Sequence, residues 1–265
     1  MRARRAGALA AACLGGDRSG CVAAVHERAI VLRLDDGPLV ALLPGGTPLH
    51  PWAVELDGPL PAGVVEGAAV RAGDGALALG PSVVALEGMA VAELRLRARP
   101  AAVDPAAVRA LASFLPAPAA CVPFEPALAA ALASYRECGD PAVLAVLVGV
   151  GEGLTPSGDD VVVGALAALE SLGDAAGRAR LGPALAGCRV RTTRLAAQGI
   201  EAALDGRHAE PVLGVLEALA EGDAARRAAA AKALLAVGHR SGADTLRGLL
   251  AVFERYGAIR SSSTG

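Results

Sequence analysis

Two textures meet near residue 100, and they require different folds. From about Val22 to Arg97, short β-branched and aliphatic runs alternate with turn residues. Ala29–Leu34 is followed by Asp35-Asp36-Gly37-Pro38, then Leu39–Leu43 and Pro44-Gly45-Gly46, the pattern of a hairpin. Val64–Arg71, Ala76–Leu79, Val83–Leu86 and Val91–Arg97 are further strand candidates, with Gly73-Asp74-Gly75 as a turn. After Arg99-Pro100 the runs lengthen. Asp104-Pro105 supplies an N-cap and a proline at the first helical position. Pro116 and Pro118 interrupt, Glu125-Pro126 opens a helix ending near Cys138-Gly139, and Pro141 begins an apolar segment. Asp159–Leu172, Val190–Leu204, Pro211–Ala220, Asp223–Val237 and Ala243–Tyr256 carry apolar residues at helical spacing. The expected fold class is α+β. A small β-rich, barrel- or sandwich-like domain over residues 1–99 precedes a mainly α-helical domain over residues 100–260, and Ser261–Gly265 reads as a frayed tail.

With 54% hydrophobic residues but only 2% aromatic, the core is built from small aliphatic side chains, which let helices approach closely. A net charge of −2, without a basic stripe or aromatic ladder, gives nucleic-acid binding no footing. Cys13, Cys21, Cys121, Cys138 and Cys188 lack CxxC or His-pair spacing and read as reduced thiols of a cytoplasmic protein. The start MRARRAGALAAACLGG weakly resembles an export signal, but its apolar run is short and an ordinary N-terminal helix is the preferred reading. No stretch reaches the roughly 20 apolar residues of a membrane span; Ala142–Val150 is far too short. His26, His50 and His208 lack ligand spacing and read as structural.

One frame occurs twice. Ser157, Gly158, Asp160 and Gly164 recur as Ser241, Gly242, Asp244 and Gly248, each offset by 84 (241 − 157 = 84). Both copies lie where a glycine-bearing loop enters a helix. Unpaired N–H groups and the helix dipole suit such a start to an anion, and they favour a carboxylate in the first turn. In the first copy, Gly149, Gly151 and Gly153 permit close backbone approach, Leu154 and Pro156 shape the loop, and Thr155 and Ser157 offer hydroxyls. The loop lacks the Gly-Lys-Ser/Thr ending of a Walker A motif and follows no clear strand. A single copy is most simply a helix start capped by Ser157. Two copies suggest a composite pocket. Gly164 and Gly248 lie one turn beyond the shared acid, so a close helix crossing there brings Asp160 and Asp244 together. Such a pair can bind a metal ion, act as a base or orient an amide. His239 is a candidate acid or base beside the second copy, with Arg240 next to it. Arg191, Thr192 and Thr193 form a polar cluster suited to clamping phosphate or carboxylate.

GVGEGLTPSGDDVVVGALAAL, GHRSGADTLRGLL, Arg191-Thr192-Thr193 and the opening AAVHERAIVLRLDDGPLVALLP together resemble a bacterial family that includes the AllH-type subunit of oxamate carbamoyltransferase. The resemblance implies transfer of a carbamoyl group between carbamoyl phosphate and a small amide or amine such as oxamate, in allantoin nitrogen catabolism. It also implies a hetero-oligomer with an FdrA-like, acyl-CoA-synthetase-like subunit, and neither a cofactor nor a metal is expected. Its motif positions fall on Gly151, Gly153, Thr155, Ser157, Asp159, Asp160, His239, Ser241 and Asp244. Glu152 and Arg240 depart from the smaller or less charged residues expected there, and Gln198 from an apolar or serine-containing pattern. Two other classes compete. One is a non-catalytic anion-binding or assembly subunit. The other is a metal-dependent hydrolase using Asp159, Asp160 and Asp244.

Overall fold

The computed structural model describes residues 1–262 apart from 36, 98, 100–102 and 118–121, with the backbone alone at 258–262. Asp36 of the expected hairpin turn, Pro100 at the expected boundary, Pro118, Cys121 and the tail 263–265 lie outside the described residues. The fold is α+β, and the chain divides into two compact units, Met1–Leu94 and Arg95–Gly265.

Among the described residues, the first unit is one sheet of nine strands with one helix. Its elements are β1 (Ala3–Gly7), α1 (Ala8–Leu14), β2 (Arg18–His26), β3 (Ala29–Leu34), β4 (Leu39–Leu43), β5 (Ala53–Leu56), β6 (Ala69–Gly73), β7 (Ala76–Leu79), β8 (Ser82–Ala85) and β9 (Ala90–Ala92). The strand order is β8-β7-β6-β2-β3-β4-β5-β1-β9. The sheet curls: Ala85 N–H donates to Met1 O at 3.0 Å, and Ala85 bridges Arg2 in parallel register. The curl encloses Ile30, Leu32, Val40, Leu42, Val54, Leu56, Leu77 and Leu79, a half-barrel core. The β3–β4 hairpin forms with Ile30 opposite Leu42, and the Gly73-Asp74-Gly75 turn has φ of 49° at Asp74 and 69° at Gly75, as a two-residue hairpin turn requires.

Three local expectations are corrected. The arginine-rich start is a strand, not a helix: β1 lies between β5 and β9 with Ala3 and Ala6 buried, and only Ala8–Leu14 is helical. Residues Val64–Ala68 of the expected Val64–Arg71 run precede β6, because Gly67 turns the chain at φ 79°. Val91–Arg97 yields only β9, and Leu94 takes φ 54°, which extended backbone cannot accommodate.

The second unit comprises α2 (Pro105–Ala112), α3 (Glu125–Cys138), a 3-10 stretch (Pro141–Leu147), α4 (Ser157–Ser171), α5 (Ala175–Ala184), a 3-10 turn (Cys188–Val190), α6 (Arg194–Leu204), α7 (Glu210–Glu221), α8 (Ala224–Leu235) and α9 (Ser241–Ser262). The caps follow the sequence. Asp104 accepts from Ala106 N–H at 2.8 Å, Asp223 from Arg226 N–H at 2.8 Å, and Gly139 closes α3 at φ 71°. α5 has no counterpart in the sequence reading, since Gly177, Gly182 and Pro183 weaken its helical signal. Asp174 starts it by accepting from Gly177 N–H at 2.8 Å, and Leu181 anchors it in the core.

α4 is buried around almost its whole circumference, so it is the helix on which the unit is built. Its principal partner is α9. A Cβ at Gly164 would lie 2.0 Å from Thr245 O, and a Cβ at Gly248 would lie 2.0 Å from Val161 O. The two helices therefore cross backbone to backbone. Gly199 in α6 and Gly214 in α7 meet nothing within 4 Å. At these open positions only helix propensity acts. Gly199→Ala is expected to stabilise the protein by about 0.5–1 kcal/mol, read as a rise of about 2 °C in the thermal unfolding midpoint. Among the described residues, no helix is long and apolar enough to cross a membrane.

Candidate active site

The first loop is set by backbone proximity. Val150 N–H donates to Leu147 O at 2.9 Å, turning the chain out of the 3-10 stretch. Gly149 (φ 80°) and Gly151 (φ 127°) admit no side chain: a Cβ would sit 2.1 Å from Arg191 O and 2.5 Å from Ser157 N, respectively. The loop then satisfies the start of α4. Gly158 N–H donates to Val150 O at 2.7 Å, and the N–H groups of Asp159 and Asp160 to Pro156 O at 2.9 and 3.3 Å. The N-cap position is Pro156, and no side chain caps the helix. Ser157 is therefore not the cap that the simplest reading gives it. The unclaimed donors lie further out: among the described residues, the N–H groups of Gly151, Glu152, Gly153, Leu154 and Thr155 make no backbone hydrogen bond. The capacity for an anion belongs to this loop more than to the helix end.

The second start is built the same way. Val237 N–H donates to Leu234 O at 3.0 Å, Gly242 N–H donates to Val237 O at 3.1 Å, and Gly238 has φ 59°. A Cβ on Gly242 would lie 1.8 Å from Leu234 O, as one on Gly158 would lie 2.0 Å from Leu147 O. The turns correspond at an offset of 87 (237 − 150 = 87; 234 − 147 = 87), the helices at 84, so the first loop is longer by three residues.

At the crossing the copies exchange partners. Ser241 stands by Asp160 and Ser157 by Asp244, and each hydroxyl favours the ionised form of the facing acid. Thr155 Oγ1 and Ser241 Oγ are 2.9 Å apart. The glycine contacts Gly164–Thr245 and Gly248–Val161 correspond between the copies (245 − 161 = 84). The pair has approximate two-fold symmetry.

The two acids differ electrostatically. Burial drives Asp160 well above the ordinary carboxylate range; Ser241 opposes this, while the charges of Asp244 and Asp159 add to it. Asp160 is only partly buried as a residue, but its Oδ2 is shut off from solvent with no hydrogen-bond partner. Asp244 is 1% exposed and also raised, first by burial, but Ser157, Arg247 and Arg240 pull it back. Arg247 Nη1 donates to Asp244 Oδ1 at 2.9 Å and to Glu125 Oε1 at 3.0 Å, and Arg240 Nη2 also donates to Glu125. Burial raises Glu125, yet the two arginines outweigh it and hold its carboxyl below the usual range. Asp244 Oδ2 and Arg240 Nε, 3.8 Å apart, each lack a hydrogen-bond partner. One acid is thus braced by cations and the other is not.

The remaining candidates are placed differently. Asp159 is 1% exposed, and both its oxygens are occupied: Oδ1 accepts from Gly149 N–H at 3.0 Å and Oδ2 from Thr192 Oγ1. Thr193 Oγ1 accepts from Ala196 N–H at 3.1 Å, capping α6, and donates to Leu154 O at 2.5 Å. Arg191 Nη2 donates to Ala145 O at 2.7 Å. These residues hold the loop rather than face the Asp160–Asp244 pair. Thr192→Val removes one donor from a buried carboxylate and is expected to cost about 1–3 kcal/mol, measured by denaturant unfolding. Gly153, Leu154 and His239 are exposed, and Gly153 has open space around it. Among the described residues no group of three His, Cys, Asp or Glu side chains is placed to hold a metal ion. His208 is buried, with Nε2 2.9 Å from Glu170 Oε2.

Sequence reasoning missed Glu125 and Arg247. Glu125 is read there only as a helix start, and the sole local signal for Arg247 is its place three residues after Asp244. A cleft of about 430 Å³ between α3 and α9 is lined by Leu128, Leu132 and Leu250, with Glu125 and Arg247 in its wall.

The interval from the first loop to the core of α9 matches a known family. Residues 147–253 fit the family described as oxamate carbamoyltransferase subunit AllH. Over this segment the chain is similar to the AllH family. The matched interval contains both Ser-Gly-x-Asp starts and the Arg191-Thr192-Thr193 cluster that braces the first of them. No solved structure matches the chain.

Proposed function

We propose that this chain is a carbamoyltransferase subunit whose two paired helix starts form the transfer site, acting on carbamoyl phosphate and oxamate or a similar small amide. The observation that carries the reading is the meeting of the two helix starts inside the matched segment, where Gly164 and Gly248 let α4 and α9 cross backbone to backbone and Thr155 Oγ1 lies 2.9 Å from Ser241 Oγ. The charge distribution suits different ends of the substrate to different groups. A dianionic phosphate is repelled by the acids and suits the unclaimed N–H groups of Gly151 to Thr155. The acids suit groups that bear N–H. In the transfer, the acceptor nitrogen bonds to the carbamoyl carbon and the bond from that carbon to the phosphate oxygen breaks. Phosphate leaves with the electron pair, and the nitrogen's proton passes to Asp160. A raised carboxylate is the better proton acceptor of the pair, because general-base catalysis improves as the base approaches the working pH. Asp159, Arg191, Thr192 and Thr193 keep the loop in shape, and His239 stands exposed beside the second start.

The test is oxalurate formation from carbamoyl phosphate and oxamate by the chain reconstituted with an FdrA-like, acyl-CoA-synthetase-like partner. Full turnover in an Asp160→Asn, Asp244→Asn double variant would sink the reading.

A second reading, an assembly subunit, draws support from apolar residues exposed around the first loop: Val146 at 65%, Leu154 at 51% and Val190 at 90%. Such a rim suits contact with another chain. Tight association with the partner, combined with no binding of carbamoyl phosphate, phosphate or oxamate by the isolated chain, would favour it. On either reading, Val190→Asp is expected to weaken the partner complex about tenfold or more, measured by titrating one subunit into the other.

A further inference from the structure

We propose that a polar cleft at the carbonyl ends of α4 and α6 is a second ligand site, built to take a small polyanion, a molecule carrying two or more phosphate or carboxylate groups. The cleft has a volume of about 410 Å³, and its wall includes Arg95, Arg99, Arg178, Glu170 and Asp205. That volume lies in the range of small-molecule sites, but charged groups replace the usual apolar lining. The cleft is distinct from the paired helix starts. Glu170 lies 13 residues beyond Ser157 on α4 (170 − 157 = 13), about 20 Å along the helix at 1.5 Å per residue.

Most of the charge here has a structural explanation. Carbonyl groups at a helix end lack intrahelical partners and attract cations. Arg178 Nη2 donates to Leu204 O at 2.6 Å, and its Nη1 donates to Glu170 Oε2 at 2.7 Å. Arg95 Nη1 donates to Asp205 O, and its Nη2 donates to Asp205 Oδ2 at 3.1 Å. Arg207 also pairs with Asp205, and His208 Nε2 stands 2.9 Å from Glu170 Oε2. Each acid of the cleft is thus already met by two basic side chains.

Arg99 is not explained in this way. It lines the same cleft, yet among the described residues it forms no hydrogen bond or ion pair. Four arginines, Arg95, Arg99, Arg178 and Arg207, stand against two acids, a surplus of two positive charges in one small volume. Like charges gathered in this way repel one another and draw an anion. The space between them is kept clear by glycine. At Gly206 (φ 76°) a Cβ would lie 2.8 Å from Glu170 Oε1 and 3.1 Å from Arg95 Nη1, and at Gly173 (φ 68°) one would lie 3.6 Å from Arg99 Nη1. Arg95 therefore borders the cleft by one glycine and Arg99 by the other. A guanidinium fork matches phosphate and carboxylate alike. A single anionic group at Arg99 leaves half of the surplus unmet, so two or more groups on one molecule fit better.

Calorimetric titration of the full-length chain with pyrophosphate and with citrate tests this. Pyrophosphate or citrate is expected to bind, and the tighter of the two tells a phosphate ligand from a carboxylate one. Arg99→Ser is expected to weaken the tighter probe about tenfold. Arg99→Lys, which keeps the charge and loses the fork, should weaken it about threefold. Arg99 has no partner to lose, so both variants should unfold at the wild-type temperature without probe, and the probe should raise that temperature more for wild type. Binding of neither probe by the wild-type chain overturns the proposal. Unchanged affinity in Arg99→Ser does so as well, because the anion then sits elsewhere, the first loop included. Neither result bears on the transfer reading, which oxalurate formation tests separately.

Discussion

Gly164→Ala and Gly248→Ala are each expected to destabilise the protein by about 3 kcal/mol, although alanine is the better helix former. The propensity gain is about 1 kcal/mol in favour of alanine. It is outweighed because the new methyl would lie 2.0 Å from a carbonyl oxygen of the facing helix, Thr245 O or Val161 O. No rotamer relieves a Cβ clash, so α4 and α9 must move apart. Separation removes dispersion contacts along the most extensive helix pair in the second unit. It also parts Ser157 from Asp244 and Ser241 from Asp160, one turn away, so turnover should fall with stability. The double variant should cost less than the sum, since the gap opened by one methyl accommodates the other. Urea unfolding beside Gly199→Ala, where the added Cβ meets nothing, isolates the effect. If Gly164→Ala stabilises as Gly199→Ala does, the helices are not in backbone contact.

That crossing was legible in the sequence because backbone proximity leaves a residue-level trace: only glycine fits, at matching positions of both copies. The helical elements were legible for similar reasons, through Asp104-Pro105, Glu125-Pro126 and Gly139. What escaped depends on distant partners. β1 is a strand because β5 and β9 flank it, and nothing in Ala-Arg-Arg-Ala-Gly says so locally. The 87-residue correspondence of the turns was hidden by the three-residue difference in loop length, which breaks the 84-residue frame between Val150 and Ser157. Glu125 reaches Arg240 and Arg247 across more than a hundred residues, a contact no spacing rule predicts. Asp159 and Asp160 are adjacent and chemically identical in sequence. Only the fold separates them, giving Asp159 two hydrogen-bond donors and leaving an oxygen of Asp160 with none.

Asp160→Asn is expected to separate stability from activity. The wild-type carboxyl titrates well above its unfolded value because of burial and the neighbouring charges of Asp244 and Asp159. A folded pKa raised in this way contributes stability that is fully present below the unfolded pKa and lost as pH rises through the folded one. Asparagine keeps the shape and does not titrate. The difference in unfolding free energy between the variant and wild type should therefore be small near pH 3.5. It should grow in favour of the variant as pH rises, by about 1.4 kcal/mol for each pH unit between the unfolded and folded pKa, and level off above the folded one. Thermal unfolding across that pH range reads it directly. In the reconstituted complex the same variant should lose about 10²–10⁴-fold in turnover, the usual scale for removing a general base. Wild-type turnover should rise with pH along a limb displaced above the ordinary carboxylate range, as the base loses its proton. A structural acid would not give this combination, because its removal would lower stability or leave turnover untouched. A variant that is both more stable at neutral pH and inactive would mark Asp160 as a charge kept buried for the reaction at the expense of the fold.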